Sequence, residues 1–208
     1  MEIAVCIKQS IDVGQLKIDP KTLEPLISIT PTKISDVDRN AIEEAIRIRE
    51  KYGGRITAIT LGGDKAREVL REALAMGVDN AIHIINDLGI DVDEYVVSEA
   101  LSKVLMDKGP FQIILCGEMS IDRYTAQVGI RIAENLKIPC ITYTRMIEVK
   151  GEEILAERDL EDRVETVKTK MPVLITVTRE INTPRLPQLM AILRAAKKPM
   201  ETINLSQM

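Results

Sequence analysis

Short apolar runs rich in β-branched residues alternate along the chain with stretches whose apolar residues recur at helical spacing. That alternation predicts an α/β fold with a doubly wound parallel sheet, Rossmann-like and of the adenine-nucleotide-hydrolase kind. Ile3–Lys8 reads as the first strand, and a small hairpin follows, Leu16–Ile18 against Leu26–Thr30 about a turn at Asp19-Pro20-Lys21-Thr22. Ser35 to Lys51 reads as a helix, with Val37, Ala41, Ile42, Ala45 and Ile46 on one face and Ser35 and Asp38 spaced as a capping box. Arg55–Leu61 is the second core strand, closed by Gly62-Gly63, and Lys65–Met76 is a helix capped by Gly77. Ala81–Ile85 is the third strand, followed by a helix from about Asp93 to Asp107. Gln112–Cys116 is the fourth, apolar throughout as befits a strand buried on both faces. A helix over Thr125–Leu136 and a fifth strand at Pro139–Thr142 complete the alternation.

The rhythm then changes. Arg145–Lys150, Glu153–Leu160, Val164–Lys170 and Val173–Thr178 read as strands with no helix between them, so an antiparallel hairpin extension at the sheet edge is expected. The tail from Arg179 carries Pro184, Pro187 and Pro199 and one short helix around Leu189–Ala195, with Lys197-Lys198 taken as solvated surface. No repeat or linker divides the chain, which reads as a single domain over residues 1–208.

Composition removes chemistry more than it adds any. Hydrophobic residues are 45% and charged residues 29% of 208, which is ordinary for a folded globule. Lys and Arg number 28 against 32 Asp and Glu, a formal charge of −4 that gives no support to nucleic-acid or membrane-surface binding. The one histidine, His83, rules out a multi-His metal site and is expected to be a hydrogen-bonded structural residue. Cys6, Cys116 and Cys140 lack C-x-x-C spacing, so no metal centre is expected, and Cys6 and Cys116 read as small core residues. No apolar run is long enough to cross a bilayer, and the N-terminus enters directly as a strand, so a cytoplasmic protein is expected.

In a doubly wound sheet the ligand crevice lies beyond the carboxyl ends of the strands where their order reverses. With the order 3-2-1-4-5 that point falls between the first strand and Gln112–Cys116. The loop after Lys8 and the loop Gly117 to Thr125 would face it, with Gly62-Gly63-Asp64 alongside. Gly117 allows close backbone approach, Ser120 and Thr125 bring hydroxyls, and the helix start brings free N–H groups, which together can hold a phosphate. Read as plain structure, Asp122 and Thr125 are helix caps, and Asp36 and Asp38 answer a helix dipole.

Four stretches then resemble one family, the β subunits of electron-transfer flavoproteins, over nearly the whole chain. They are Ser35-Asp36-Val37-Asp38-Arg39-Asn40-Ala41-Ile42-Glu43-Glu44-Ala45; Ala73 to Asp79; Cys116-Gly117-Glu118 through Asp122, Tyr124 and Ala126-Gln127-Val128-Gly129; and Ala156 to Asp162 with Glu165-Thr166-Val167 and Met171 to Thr176. Arg163 and Arg123 depart from the family's usual residues. The resemblance implies an electron-carrier subunit with no catalytic residues of its own, paired with an α subunit that holds FAD near the interface. Such pairs relay electrons from flavin-dependent dehydrogenases to a quinone reductase or another acceptor. It implies a nucleotide crevice that holds AMP or a second FAD. That crevice would be built from Cys6, Ser35, Asp36, Val37, Asp38, Leu61, Gly117, Ser120, Asp122, Arg123, Thr125, Ala126, Gln127 and Val128. The run Thr125-Ala126-Gln127-Val128-Gly129 is similar to the Fix-like and electron-bifurcating branch, where smaller, less polar side chains favour FAD over AMP. Residues 179–208 would be a partner-docking tail, with Leu189 as its anchoring leucine. Family members continue past Pro199 with an arm around the α subunit; this sequence stops at Met208, so the arm is either short by nature or cut off here. The alternative is a stand-alone adenine-nucleotide-binding module of the universal-stress kind, which would homodimerise and need no flavin.

Overall fold

Alternate residues of each central strand face opposite helical layers, and this period of two builds the two halves of the core. The computed structural model describes all 208 residues. The chain runs β1 (Glu2–Cys6), β2 (Gln9–Ile11), β3 (Thr32–Ile34), α1 (Asp36–Tyr52), β4 (Arg55–Gly62), α2 (Arg67–Met76), β5 (Asn80–Ile85) and α3 (Glu94–Lys108). It continues through β6 (Ile113–Gly117), α4 (Val128–Leu136), β7 (Cys140–Lys150), β8 (Glu153–Asp159), β9 (Val164–Lys170), β10 (Val173–Val177), α5 (Leu189–Ala195) and β11 (Met200–Asn204). Nine strands form the main sheet in the order β11-β5-β4-β1-β6-β10-β7-β8-β9. From β11 to β7 the pairing is parallel, and β7-β8-β9 is antiparallel.

Ile3, Val5, Ile56, Ala58, Ile113 and Leu115 point to the layer of α1 and α2, where they meet Ala41, Ile42, Ala45, Val69 and Leu70. Ala4, Cys6, Ile59, Ile82, Ile114 and Cys116 point the other way, toward Ala100, Leu101, Val104 and Leu105 of α3 and Ile132 and Ala133 of α4. The uniformly apolar β6 is covered on both faces, as its composition predicts.

The doubly wound core and the antiparallel extension stand as expected, with five differences in detail. The expected hairpin over residues 16–30 reduces to one bridge, Ile18 to Pro25, and the nearby ladder is instead β2 with β3. The strand read at Val173–Thr178 does not join the antiparallel edge. As β10 it inserts between β6 and β7, because Val173 to Val177 are all buried and only a central position covers both faces. The fifth strand and Arg145–Lys150 are one continuous strand, β7. Helix α4 begins at Val128, three residues later than expected.

The tail brings the fifth. It contributes a strand, β11, that pairs in register with β5, Thr202 opposite His83. Lys198 is accordingly no surface lysine: its Nζ donates to the carbonyls of Leu74 at 2.9 Å and Val78 at 2.6 Å, closing the C-terminal end of α2.

Candidate functional site

Strand β1 has β4 on one side and β6 on the other, and the chain leaves its carboxyl end toward both. A crevice of about 310 Å³ opens there, between the loops after β1, β4, β5 and β6. Of the residues expected to bind a nucleotide, Cys6, Asp38, Leu61, Gly117, Ser120, Arg123, Thr125, Ala126, Gln127 and Val128 line it. Ser35, Asp36, Val37 and Asp122 stand outside the lining. Asp36 pairs with Lys33 at 2.9 Å and Arg179 at 3.3 Å, and Val37 packs in the core.

The capping box expected from Ser35 and Asp38 is not formed, for Ser35 caps α1 without a side-chain hydrogen bond and its hydroxyl is buried unpartnered. Asp38 is turned away from its own helix. Its two carboxylate oxygens accept the backbone N–H of Lys8 at 2.8 Å and of Gly117 at 2.9 Å, joining α1 to the loops on either side of the crevice. Burial pushes its pKa up to about 7, against the opposing pull of those two N–H groups and Lys8. Gly117 owes its lack of a side chain to this contact: a Cβ there would stand 2.7 Å from Asp38 Oδ1 and 3.1 Å from Val37 Cβ. The glycine therefore serves helix-to-strand packing, where the sequence suggested approach to a ligand.

The loop after β6 is tied to the loop after β1. Lys8 Nζ reaches across to Asp122 Oδ1 at 2.7 Å and Ser120 Oγ at 3.2 Å. Burial works against the Asp122 charge, but Lys8 and Ser120 keep its carboxyl below the ordinary range. Tyr124 and Ala126 adopt left-handed backbone, φ +55° and +52°, a conformation that L residues hold at a cost of about 1–2 kcal/mol each. The backbone N–H groups of Thr125 to Gly129 make no hydrogen bond within the chain. They stand at the positive end of α4, on the crevice wall. Gly129 brings the helix start against the sheet, since a Cβ there would lie 2.8 Å from Cys116 Sγ and from Thr176 Cγ2.

Arg123 does not point at the crevice floor. Its guanidinium lies 2.7 Å from Asp91 and 3.6 Å from Glu94, bridging the loop to the start of α3. Burial pushes the Cys6 thiol up to about 12 and Cys116 well above its usual value, so neither is a thiolate at neutral pH. The lining also takes in Asn86, Val92, Val97 and Leu101, which sequence reasoning passed over. The third strand ends at the same sheet edge, so the loop after it was the signal available.

His83 is fully buried outside the crevice lining, and burial lowers its pKa; both ring nitrogens lack a hydrogen-bond partner, so the hydrogen-bonded role expected of it is not formed. Leu189 begins α5 and is 73% exposed, beside Leu186 at 84% with Met190 and Leu193 also exposed. The Asn182–Arg185 segment before it is tied to α1. Asn40 Nδ2 donates to the Asn182 carbonyl at 2.7 Å, and Arg185 binds Glu43 at 2.8 Å and Glu50 at 2.6 Å.

Comparison with known proteins gives the family. The family described as the electron transfer flavoprotein domain matches residues 27–208. The electron transfer flavoprotein subunit β of Thermoanaerobacterium thermosaccharolyticum is 44% identical over 198 residues, covering 95% of this chain and 76% of that protein. The subunit β of Bacillus subtilis is 45% identical over 177 residues, 84% of this chain and 68% of that protein. Protein FixA of Bradyrhizobium diazoefficiens is 36% identical over 204 residues, 95% of this chain and 71% of that protein. The fold, the crevice at its switch point and these matches together place the chain in the electron transfer flavoprotein family, as a β-type subunit of an electron carrier.

Proposed function

We propose that this chain is the nucleotide-holding half of a heterodimeric flavoprotein that relays electrons between a dehydrogenase and an acceptor, with FAD at its boundary with an α subunit. One observation carries the reading: the unpaired N–H groups of Thr125 to Gly129 at the start of α4, facing the crevice at the sheet's switch point. Backbone N–H groups left free at a helix start, with the positive end of the helix dipole behind them, suit an anionic ligand. The residues fit a phosphate-bearing nucleotide on that ground.

A volume of about 310 Å³ is at the small end for a ligand pocket and suits an adenylate group. A whole FAD is larger than this space, so if FAD were bound here part of it would need walls from outside this chain. When bound, FAD supplies the electron chemistry. The chain's own part is to hold the adenylate, exclude water with Leu61, Val92 and Val128, and set distance. No acid–base or nucleophilic pair is asked of its side chains. The Thr125–Gly129 wording favours FAD over AMP in this crevice and so a bifurcating role.

The exposed Leu186, Leu189, Met190 and Leu193 support residues 179–195 as the segment that meets a protein partner. Within the rest of the tail, Met200–Asn204 pair with β5 as β11. The direct test is co-expression with an α subunit, release of the bound nucleotides and their count per heterodimer. A yellow heterodimer with two FAD supports the reading; one FAD and one AMP keeps the nucleotide site but overturns the FAD preference and the bifurcating role, and a colourless protein that ignores the α subunit contradicts the whole.

A further inference from the structure

Four carboxylates line the crevice, from Asp38, Asp91, Glu94 and Glu118, against two cations, Lys8 and Arg123. Lys8 is committed to Asp122, and Arg123 to Asp91 and Glu94. A phosphate entering beside the α4 amides therefore meets an acidic wall. Of the four acids, Asp38 is the buried one, seated beneath both crevice loops.

We propose that Asp38 couples the crevice to protons: a phosphate-bearing ligand enters together with one proton from solvent, which settles on the Asp38 carboxyl. The proposal rests on the nucleotide reading above and adds to it.

Charge and desolvation both act in that direction. Burial has already brought this carboxyl to about 7, so near neutral pH it is poised between its two states. An anion placed above it and the water it displaces each disfavour the charged form further. The groups facing Asp38 leave it the natural acceptor. Lys8, from the loop after β1, favours its charge; Asp122, from the loop after β6, opposes it; and the thiols of Cys6 on β1 and Cys116 on β6 are held neutral by burial. Neutralising Asp38 leaves its carbonyl oxygen to keep one N–H of the clamp while the hydroxyl oxygen accepts the other only weakly, so the clamp loosens on one side as the wall loses a charge. The balance is a simple association: protein, ligand and one proton combine, and no covalent bond within the protein or ligand changes.

Calorimetry of the full chain with FAD tests this, because the FAD diphosphate does not titrate near pH 7. Titrations at pH 7.5 in two buffers of different ionisation enthalpy give the protons taken up per ligand bound. The expected results are an uptake of half a proton or more, binding about threefold or more tighter at pH 7 than at pH 8, and no uptake in Asp38→Asn. A second measurement needs no variant: the Asp38 carboxyl carbon, followed by NMR, should titrate at higher pH with FAD bound than without. FAD binding with no proton uptake, uptake that persists in Asp38→Asn, or an Asp38 titration unmoved by FAD overturns the proposal and leaves the nucleotide reading standing. Failure of FAD to bind at any pH overturns the proposal and counts against the nucleotide reading as well.

Discussion

Gly117 and Asp38 form the tightest junction at the crevice, and substitutions there should report on packing before they report on ligand. Gly117→Ala places a methyl 2.7 Å from a carboxylate oxygen and 3.1 Å from Val37 Cβ, neither of them the end of a long flexible side chain. We expect a loss of about 1–3 kcal/mol from overpacking, read from urea unfolding. An unchanged midpoint would mean that α1 moves away freely. Asp38 also makes stability depend on pH. Its pKa is about 7 folded against an ordinary 3.8, so between roughly pH 4 and 7 the folded chain holds a proton that the unfolded chain has released. The contribution of this residue therefore declines as pH rises through that window and stays low above it. Wild-type stability relative to Asp38→Asn should fall between pH 5 and pH 8 by up to a few kcal/mol. A flat difference would show that the carboxyl titrates normally. Residue types in the sequence marked both positions, but their roles were hidden. The Ser35-x-x-Asp38 spacing reads as a capping box, and only the approach of two distant loops shows that the carboxylate serves them instead.

At the level of elements, the loop between β6 and α4 carries the strain and the free donors. Ala126→Gly relieves a left-handed alanine and should stabilise the chain by about 0.5–1 kcal/mol, after allowing for glycine's greater unfolded freedom. The same change should weaken nucleotide binding severalfold, because the free loop then samples more shapes before binding. Tighter binding by this variant would contradict the idea that the strained loop is preorganised. Periodicity located the central helices and strands well, since each must bury a stripe or a face, and even α5 lies over Leu189–Ala195 as read. It misplaced what tertiary pairing decides. The five buried residues of β10 look like any apolar run, and nothing local says that they slot between β6 and β7. Strand β11 reads as Met-Glu-Thr-Ile-Asn, polar enough to pass for tail until β5 offers its open edge. The start of α4 slid to Val128 because Tyr124 and Ala126 break the helical path, which composition does not announce.

Across the whole molecule, α1 spans the distance between the crevice and the exposed tail segment. Its first turn holds the crevice through Asp38, while Asn40, Glu43 and Glu50 hold the segment that leads to exposed Leu186 and Leu189. Burial opposes the Glu43 charge, and Arg185 together with Arg47 holds its carboxyl below the ordinary range. Arg185→Ala should destabilise the chain by about 1–3 kcal/mol, since it strips a nearly buried carboxylate of its main partner. Leu189→Glu should leave the urea midpoint within about 0.5 kcal/mol, because the side chain is mostly in solvent, yet abolish electron acceptance from a partner dehydrogenase. Normal transfer rates in that variant would remove α5 from the docking surface.

The central claim is that the amides opening α4 hold the adenylate of a flavoprotein shared with an α subunit. The heterodimer's nucleotide content, measured beside that of a variant with Gln127-Val128 replaced by Pro-Pro to delete two of those N–H groups, tests it most directly. The account predicts two adenine nucleotides per wild-type heterodimer and one in the variant, with the pair still assembled. Two nucleotides retained in the variant would contradict it.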